Sequence, residues 1–461
     1  MNLTMILPDG VSIRNFGTHF LREIPSEMDV EAFHSVPSED TSTLIRDSRI
    51  SWIPMPRYRE SSWANFLRQL TSYGQMFFAG TRSMKHNLRM NKGSTFGSKL
   101  LYRSARIAGR LAARPNRLAV VDAWRFRSLK KSKAFEAYVA FLKASQPSVV
   151  LSAHQRPPSI LPAILAAREL GVPTATFIFS WDNLTSKGTI AAPFDHYFVW
   201  SELMKKELLL YYPHVEAGSV HVVGTPQFDP YSDSSLIKSR GEFFNQIGAD
   251  PHRPLICYSG GDPATCPEDP DHVRVLLELI RCGDVASSPQ VAVRPAPVDD
   301  GVRYRQVLQD FPELLFLPPL WERGVGTDWS QVVPREEDIV TLSNLTFHST
   351  LNVNVASTMT LDFAIRDKPV VNIAFDVGNP PPFGVPLWNY YYEFEHYRPV
   401  VEIGAARFAR SPEELAEHIN LYLDNPGLDR AQRKALIELE VGVPIGSSTA
   451  AILSALQLIA S

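Results

Sequence analysis

The sequence predicts an α/β protein of two lobes, each a parallel sheet flanked on both faces by helices. Short apolar β-type runs alternate with helical stretches almost throughout, the pattern of parallel sheets with helical crossovers. The 461 residues exceed one ordinary core and fit two domains of about 200 residues each. A polar, breaker-rich segment near 229–253 separates two such series of runs. The expected division is a first lobe at 1–229, a linker at 230–253 and a second lobe at 254–446. A final helix at 447–461 is expected to pack back on the first lobe.

In the first lobe the expected strands are LTMILPD (3–9), ISWIPM (50–55), LAVVDAW (118–124), SVVLSAH (148–154), TATFIFS (174–180), HYFVW (196–200) and VHVVG (220–224). Helical patterns fill 134–145 and 159–170; Gly171-Val172-Pro173 closes the latter as a C-cap followed by proline. The second lobe repeats the scheme with PLICYSGG (254–261), QVAVRPAP (290–297), LLFLPP (314–319), LTFHSTLNVNVAS (345–357), KPVVNIAF (368–375) and VVEIG (400–404). Amphipathic helices are expected at 269–282, 337–344, 411–423, 428–440 and 447–460. No sequence repeat relates the halves.

A hydrophobic content of 44% and a charged content of 21% are those of a folded chain. A net charge of −3 argues against a nucleic-acid protein. Cys257, Cys266 and Cys282 are odd in number and lack zinc spacing, which suits a reducing compartment. The opening MNLTMILPDG lacks a basic n-region and reads as a first strand. No apolar run approaches the roughly 18–20 residues of a spanning helix. The expectation is a cytoplasmic protein not integral to a membrane.

Facing parallel lobes would turn the carboxyl ends of their strands toward a common cleft, where ligands bind in open sheets. In the second lobe LNVNVA is followed by Ser357, Thr358, Met359, Thr360, Leu361 and Asp362. Hydroxyls and amides at such a strand-to-helix turn suit phosphate, and Asp362 suits ribose hydroxyls. Ordinary helix capping gives the same spacing. Gly260-Gly261 after the first strand of this lobe permits close backbone approach to a diphosphate, although paired glycines also make plain tight turns. Arg294 after the next strand suits phosphate oxygens.

The run STMTLDFAIRDKPVVNIAFD, Ser357 to Asp376, resembles the nucleotide-binding segment of GT-B glycosyltransferases, which have two Rossmann-like lobes. FSWDNLTSKGT (179–189), FVWSELMKKEL (198–208) and VVGTPQFDPY (222–231) resemble bacterial surface-polysaccharide transferases, distantly similar to CDP-glycerol glycerophosphotransferases. The resemblance spans about residues 147–460, with the opening of the chain also fitting; residues 52–135 match nothing. It implies a nucleotide-sugar donor on the second lobe, a glycan or lipid-linked acceptor on the first, and a place in surface polysaccharide synthesis. Small hydroxyl residues would hold the diphosphate. Asp362 stands where the superfamily commonly has glutamate.

Trp181-Asp182-Asn183 and His154-Gln155-Arg156 follow two first-lobe strands. A transferase needs a base near the acceptor hydroxyl, and Asp182 or His154 suits it. Asp182 is preferred, because Trp181 offers an apolar wall that would raise its pKa; a helix cap is the alternative. Lys187, Arg14 and Asn15 are further substrate contacts, with Trp181 and Asn183, and family analogy adds His396. No HExxH, no strand-flanked DxD and no cysteine cluster points to a metal. The reaction is therefore expected to need no metal or cofactor beyond the donor.

Between Arg82 and Lys133 lie fifteen Lys or Arg residues and one acid, Asp122. Lys99, Arg103, Arg106, Arg110 and Arg114 recur at helical spacing, which suits an anionic membrane surface or a solvated face. No recognised nucleic-acid module accompanies them. The function expected is metal-independent glycosyl transfer. A nucleotide-sugar 2-epimerase, a glycerophosphate or polyol-phosphate transferase, and a non-catalytic scaffold are the alternatives.

Overall fold

The computed structural model describes residues 1–461 apart from 18, 36–46, 90–92, 324–331, 379–380 and 382. The chain forms two compact units. Unit 1 comprises Met1–Pro226 with Glu440–Ser461, and unit 2 comprises Gln227–Leu439.

Unit 1 holds a seven-stranded parallel sheet: β1 (Asn2–Leu7), β2 (Asp29–His34), β3 (Ile50–Pro54), β4 (Val149–Ser152), β5 (Thr174–Phe177), β6 (His196–Val199) and β7 (Val220–Val222). Their order is β3-β2-β1-β4-β5-β6-β7. β4 and β5 are buried along their whole length; β4 is apolar but for Ser152, and the two β5 threonines bond their hydroxyls, Thr174 to Asp195 and Thr176 to the Ser152 carbonyl. Strand order reverses between β1 and β4, where Ile6 pairs with Ser152. Ligands of open α/β sheets bind beyond the carboxyl ends at such a reversal. Helix Ser448–Ala460 packs on β4, burying Ile452, Leu453 and Leu456.

Unit 2 holds β8 (Leu255–Ser259), β9 (Gln290–Arg294), β10 (Leu315–Phe316), β11 (Trp321–Arg323), β12 (Val332–Pro334), β13 (Leu351–Asn354), β14 (Val370–Ile373) and β15 (Arg407–Ala409). The parallel sheet runs β10-β9-β8-β13-β14-β15, and β11 pairs antiparallel with β12. Its reversal lies between β8 and β13. Residues 230–253 carry a 3-10 turn at Ser234–Leu236 and a helix, Arg240–Ile247, closed by a capping box at Ser239 and a left-handed Gly248.

Several expected elements differ. LAVVDAW lies inside a helix, Pro115–Leu129, not a strand. Leu118, Val121, Arg125 and Leu129 are its buried residues, a helical period that outweighs the β-branched Val120-Val121 pair, and Pro115 starts it. VVEIG is helical within Arg398–Ile403; after the left-handed Gly404 cap the strand is Arg407–Ala409. Helix Glu336–His348 extends through LTFH, so its strand begins only at Leu351. β2 escaped the reading because Asp29 and Glu31 break its apolar run.

Helices Ser62–Ala79, Arg82–Arg89, Phe96–Leu111 and Pro115–Leu129 form an insertion in unit 1. Leu67, Leu70, Tyr73, Met76, Met84, Leu88, Ala105 and Val121 build its own small core. Lys92 of the basic stretch lies outside the described residues. Gly109 lets two backbones touch: a Cβ there would stand 2.8 Å from the Leu70 carbonyl oxygen and 2.9 Å from the Gly74 nitrogen. Backbone cannot rotate aside as a side chain can. Gly109→Ala is expected to destabilise unit 1 by about 1–3 kcal/mol in urea unfolding, as overpacking does; a loss below a few tenths would contradict this contact.

Candidate active site

In unit 1 the reversal between β1 and β4 carries a carboxylate–imidazole pair. Asp9, just beyond β1, caps helix Gly10–Phe16 by accepting from the Ser12 amide at 2.9 Å and the Ser12 hydroxyl at 2.5 Å, both on Oδ1. Its Oδ2 lies 2.7 Å from Nδ1 of His154, just beyond β4. Both side chains are buried. Burial pushes the Asp9 carboxyl up, but the His154 ring and the Ser12 donors outweigh it and leave the pKa below its ordinary value. In the neutral ring, a proton on Nδ1 donated to Asp9 leaves the lone pair on Nε2. That Nε2 is buried and has no hydrogen-bond partner among the described residues.

Phe179, beyond β5, lies against the His154 ring with centroids 4.7 Å apart, and the Arg14 guanidinium stands 5.8 Å from the same Phe179 ring. Asn15 is buried; its Oδ1 accepts from Arg14 Nε at 2.9 Å, and its Nδ2 is unpartnered among the described residues. Gln155 joins the two triplets singled out in the sequence: its amide donates to Asn183 Oδ1 at 2.8 Å and its Oε1 accepts from the Phe179 amide. Asp182 accepts from Ser186 Oγ at 2.6 Å and Asn183 Nδ2 at 3.1 Å, with Lys187 Nζ at 3.6 Å. Trp181 is buried beside it. Asp182 is thus bonded within its own turn and feels the charge of the buried Arg156, whereas His154 is held by a carboxylate from another strand end. The signal for the pair, Asp-Gly after one strand and His after another, lacks any fixed spacing in sequence.

In unit 2 the turn after β13 stands at the β8/β13 reversal. Ala356 has a φ of 43°, a left-handed conformation that a non-glycine residue adopts at a cost of about 1–2 kcal/mol. Asn354 Oδ1 accepts from the Ser357 amide at 2.9 Å and so fixes the turn. Ser357 Oγ accepts from the Met359 amide at 3.3 Å, and Thr358 begins helix Met359–Ile365 with no side-chain cap bond. Ser357 and Thr358 are half-buried. Thr360 is fully buried, bonded to Asn354 Nδ2 at 3.1 Å and Tyr397 Oη at 2.8 Å. It belongs to a polar strip of Asn352, Asn354, Asn372 and Tyr397 under the turn.

Asp362 is buried, and Tyr231 donates its hydroxyl to Oδ1 at 2.5 Å. Arg366 stands over the Tyr231 ring at 4.9 Å and donates to the Tyr231 carbonyl. Asp362→Ala would leave the Tyr231 hydroxyl buried without this acceptor. It is expected to cost about 1–3 kcal/mol in chemical unfolding even without ligand; unchanged stability would contradict the pairing.

The Gly260 amide donates to the Arg294 carbonyl at 2.9 Å and the Gly261 amide to Asp269 Oδ2 at 2.8 Å. The Gly-Gly turn thus cradles the protein's own carboxylate. It also needs its bareness: a Cβ would stand 2.5 Å from Tyr304 Oη at Gly260 and 2.4 Å from Cys266 Sγ at Gly261. Arg294 is buried, and its Nη2 donates to both oxygens of Asp338 at 2.9 Å. His396 is half-buried against Phe394 and Tyr397. Among the described residues, no group of three or more His, Cys, Asp or Glu is placed to hold a metal ion, and no helix is long and apolar enough to cross a membrane.

No protein-family model matches the chain, and no curated protein matches it in sequence. Solved structures do. The UDP-GlcNAc 2-epimerase of Neisseria meningitidis, bound to UDP-GlcNAc, is 10% identical with a TM-score of 0.54 over 99% of this chain and 100% of its own. MnaA of S. aureus with UDP is 10% identical with a TM-score of 0.50, over 99% and 96%. The wall teichoic acid polymerase TagF is 8% identical with a TM-score of 0.52, over 100% and 89%. At such identities the likeness concerns the fold alone. With two parallel sheets, each reversing once, the chain has the two-lobed GT-B fold.

Proposed function

We propose that the chain is a glycosyltransferase that moves a sugar from a nucleotide-activated donor to a hydroxyl of a cell-surface glycan or lipid-linked acceptor, without a metal ion. The observation that carries this reading is His154, held through Nδ1 by Asp9, with Nε2 buried and unpartnered among the described residues at a strand-order reversal. An unsatisfied buried nitrogen costs about 1–3 kcal/mol, and an acceptor hydroxyl donating to it would remove that cost. Nε2 takes the hydroxyl proton as the oxygen bonds to the anomeric carbon. The bond from that carbon to the donor diphosphate breaks, and the nucleoside diphosphate leaves with the electron pair. Asp9 holds the tautomer and stabilises the imidazolium.

In this reading the Ser357-Thr358 turn receives the diphosphate and Asp362, shared with Tyr231, the ribose. Gly260, Gly261 and Arg294 are given no donor contact in this reading, since Gly260 bonds to the Arg294 carbonyl, Gly261 to Asp269 and Arg294 to Asp338. A second reading, nucleotide-sugar 2-epimerase, draws on the fold shared with the Neisseria enzyme, and the same base and nucleotide turn would serve it.

Thermal shift against UDP-, GDP-, dTDP- and CMP-linked sugars tests the shared part. A ligand at 100 times its Kd stabilises by about 2.7 kcal/mol; no shift with any of the four would sink both readings. UDP sugars come first, as ligands of fold neighbours. Release of nucleoside diphosphate only when an acceptor glycan is added supports transfer. Acceptor-independent formation of a C2 epimer supports the second reading.

A further inference from the structure

We propose that helices Phe96–Leu111 and Pro115–Leu129 of the insertion form a docking surface for an anionic lipid bilayer. Helix Phe96–Leu111 buries Ala105 and Gly109, with Tyr102, Ala108 and Ala112 packed on the insertion core. At about 100° per residue, Phe96, Leu100, Ile107 and Leu111 fall within roughly 60° of arc on the opposite side. They are 84%, 56%, 57% and 71% exposed. Apolar side chains diametrically opposite a core contribute nothing to folding, so the stripe calls for another partner.

The charges are arranged to match. Lys99, Arg103, Arg106 and Arg110 occupy the adjoining sector of the same helix, along one flank of the stripe. On helix Pro115–Leu129, Val120 and Trp124 are about half exposed, on the side away from the buried Leu118 and Leu129, with Arg117 and Arg127 on either side. Both helices pack on Ser62–Ala79. Among the described residues Lys99, Arg103, Arg110, Arg114 and Arg127 enter no ion pair, and the one acid of the stretch, Asp122, stands 3.5 Å from Arg125. The whole chain carries −3, so this cationic surface is local.

An apolar stripe edged by cations on a helix matches the lipid interface, where the stripe enters the acyl boundary and the cations meet anionic headgroups. A second copy of the same face would bring like charges together. A nucleic acid would leave the Leu100, Ile107 and Leu111 side chains without apolar cover. The surface stands independently of the catalytic reading, because none of its residues belongs to either strand reversal.

The test is co-sedimentation of the full chain with vesicles of phosphatidylcholine, alone or mixed with an equal part of phosphatidylglycerol. Binding to the mixed vesicles, weakened by salt, is expected. Each cation near an anionic surface strengthens binding about five-fold, so Lys99→Gln/Arg103→Gln/Arg110→Gln should weaken it on the order of 100-fold. Leu100→Ser/Ile107→Ser/Leu111→Ser should also release the protein. These positions are exposed, and an unchanged circular dichroism melt confirms folding. Equal binding to both vesicle types, binding to neither, or undiminished binding by both folded variants overturns the proposal. So does retention on RNA or self-association without vesicle binding.

Discussion

Replacing His154 by alanine is expected to lower turnover by about 10²- to 10⁴-fold, the range spanned by a lost general base, while nucleotide-induced stabilisation persists. The proposed base is in unit 1 and the proposed nucleotide turn in unit 2, so the substitution should remove proton transfer and spare the donor contacts. Asp9→Asn should reproduce most of the loss. An amide at position 9 donates to Nδ1, drives the ring proton to Nε2 and removes the lone pair. Asp182→Asn should cost far less, since Asp182 already accepts from Ser186 and Asn183. The reverse ranking, with Asp182→Asn inactive and His154→Ala active, would move the base to Asp182.

Asp9 adds a pH signature. Its folded-state pKa is depressed, so the stability it contributes is present above the unfolded value of about 3.9. That stability is lost as pH falls through the lower folded value. Asp9→Asn should therefore flatten the loss of urea stability between pH 7 and 3; an identical acid profile would place Asp9 outside the linkage.

Asp338→Ala should be the most destabilising change in unit 2, by about 3–5 kcal/mol. Asp338 accepts from Arg294 Nη2 on both oxygens, from the Leu320 amide at 2.8 Å and from Trp321 Nε1 at 2.8 Å. It thereby ties the end of β9 to the start of β11. Removing it strands the buried Arg294 cation, whose Nη1 already lacks a partner among the described residues. For a unit of this size the loss corresponds to a fall in Tm of roughly 6–20 °C. Arg294→Met/Asp338→Leu should regain part of it, because an apolar pair pays no desolvation penalty. A single-variant loss under about 1 kcal/mol would show that the pair is solvated.

The fold was legible because buried parallel strands are rich in apolar residues, as β4 (VVLS) and β8 (LICYS) are, even where Asn352 and Asn354 interrupt β13. LAVVDAW misled because seven apolar-rich residues do not separate strand from helix; Arg125, buried but charged, hid the helical period. The candidate site was half legible. His154, Asp182 and the Ser357 turn stand where strands end, which local pattern shows. The Asp9–His154 bond is a contact between residues 145 apart, and only the β1/β4 adjacency creates it. In the same way, local sequence displays the glycines of Gly260-Gly261 but not Asp269, the carboxylate that claims their turn.

Unit 1 is discontinuous: its sheet is complete by Val222, yet the helix that covers β4 begins only at Ser448. During synthesis the whole of unit 2 emerges between these two parts. The contiguous unit 2 can reach its native state first, while β4 waits with an uncovered apolar face. Unit 1 is thus expected to complete after unit 2, against the order of the chain. A species halted near residue 440 should show a cooperatively folded, protease-resistant unit 2 beside an open unit 1, the natural point for a chaperone to bind.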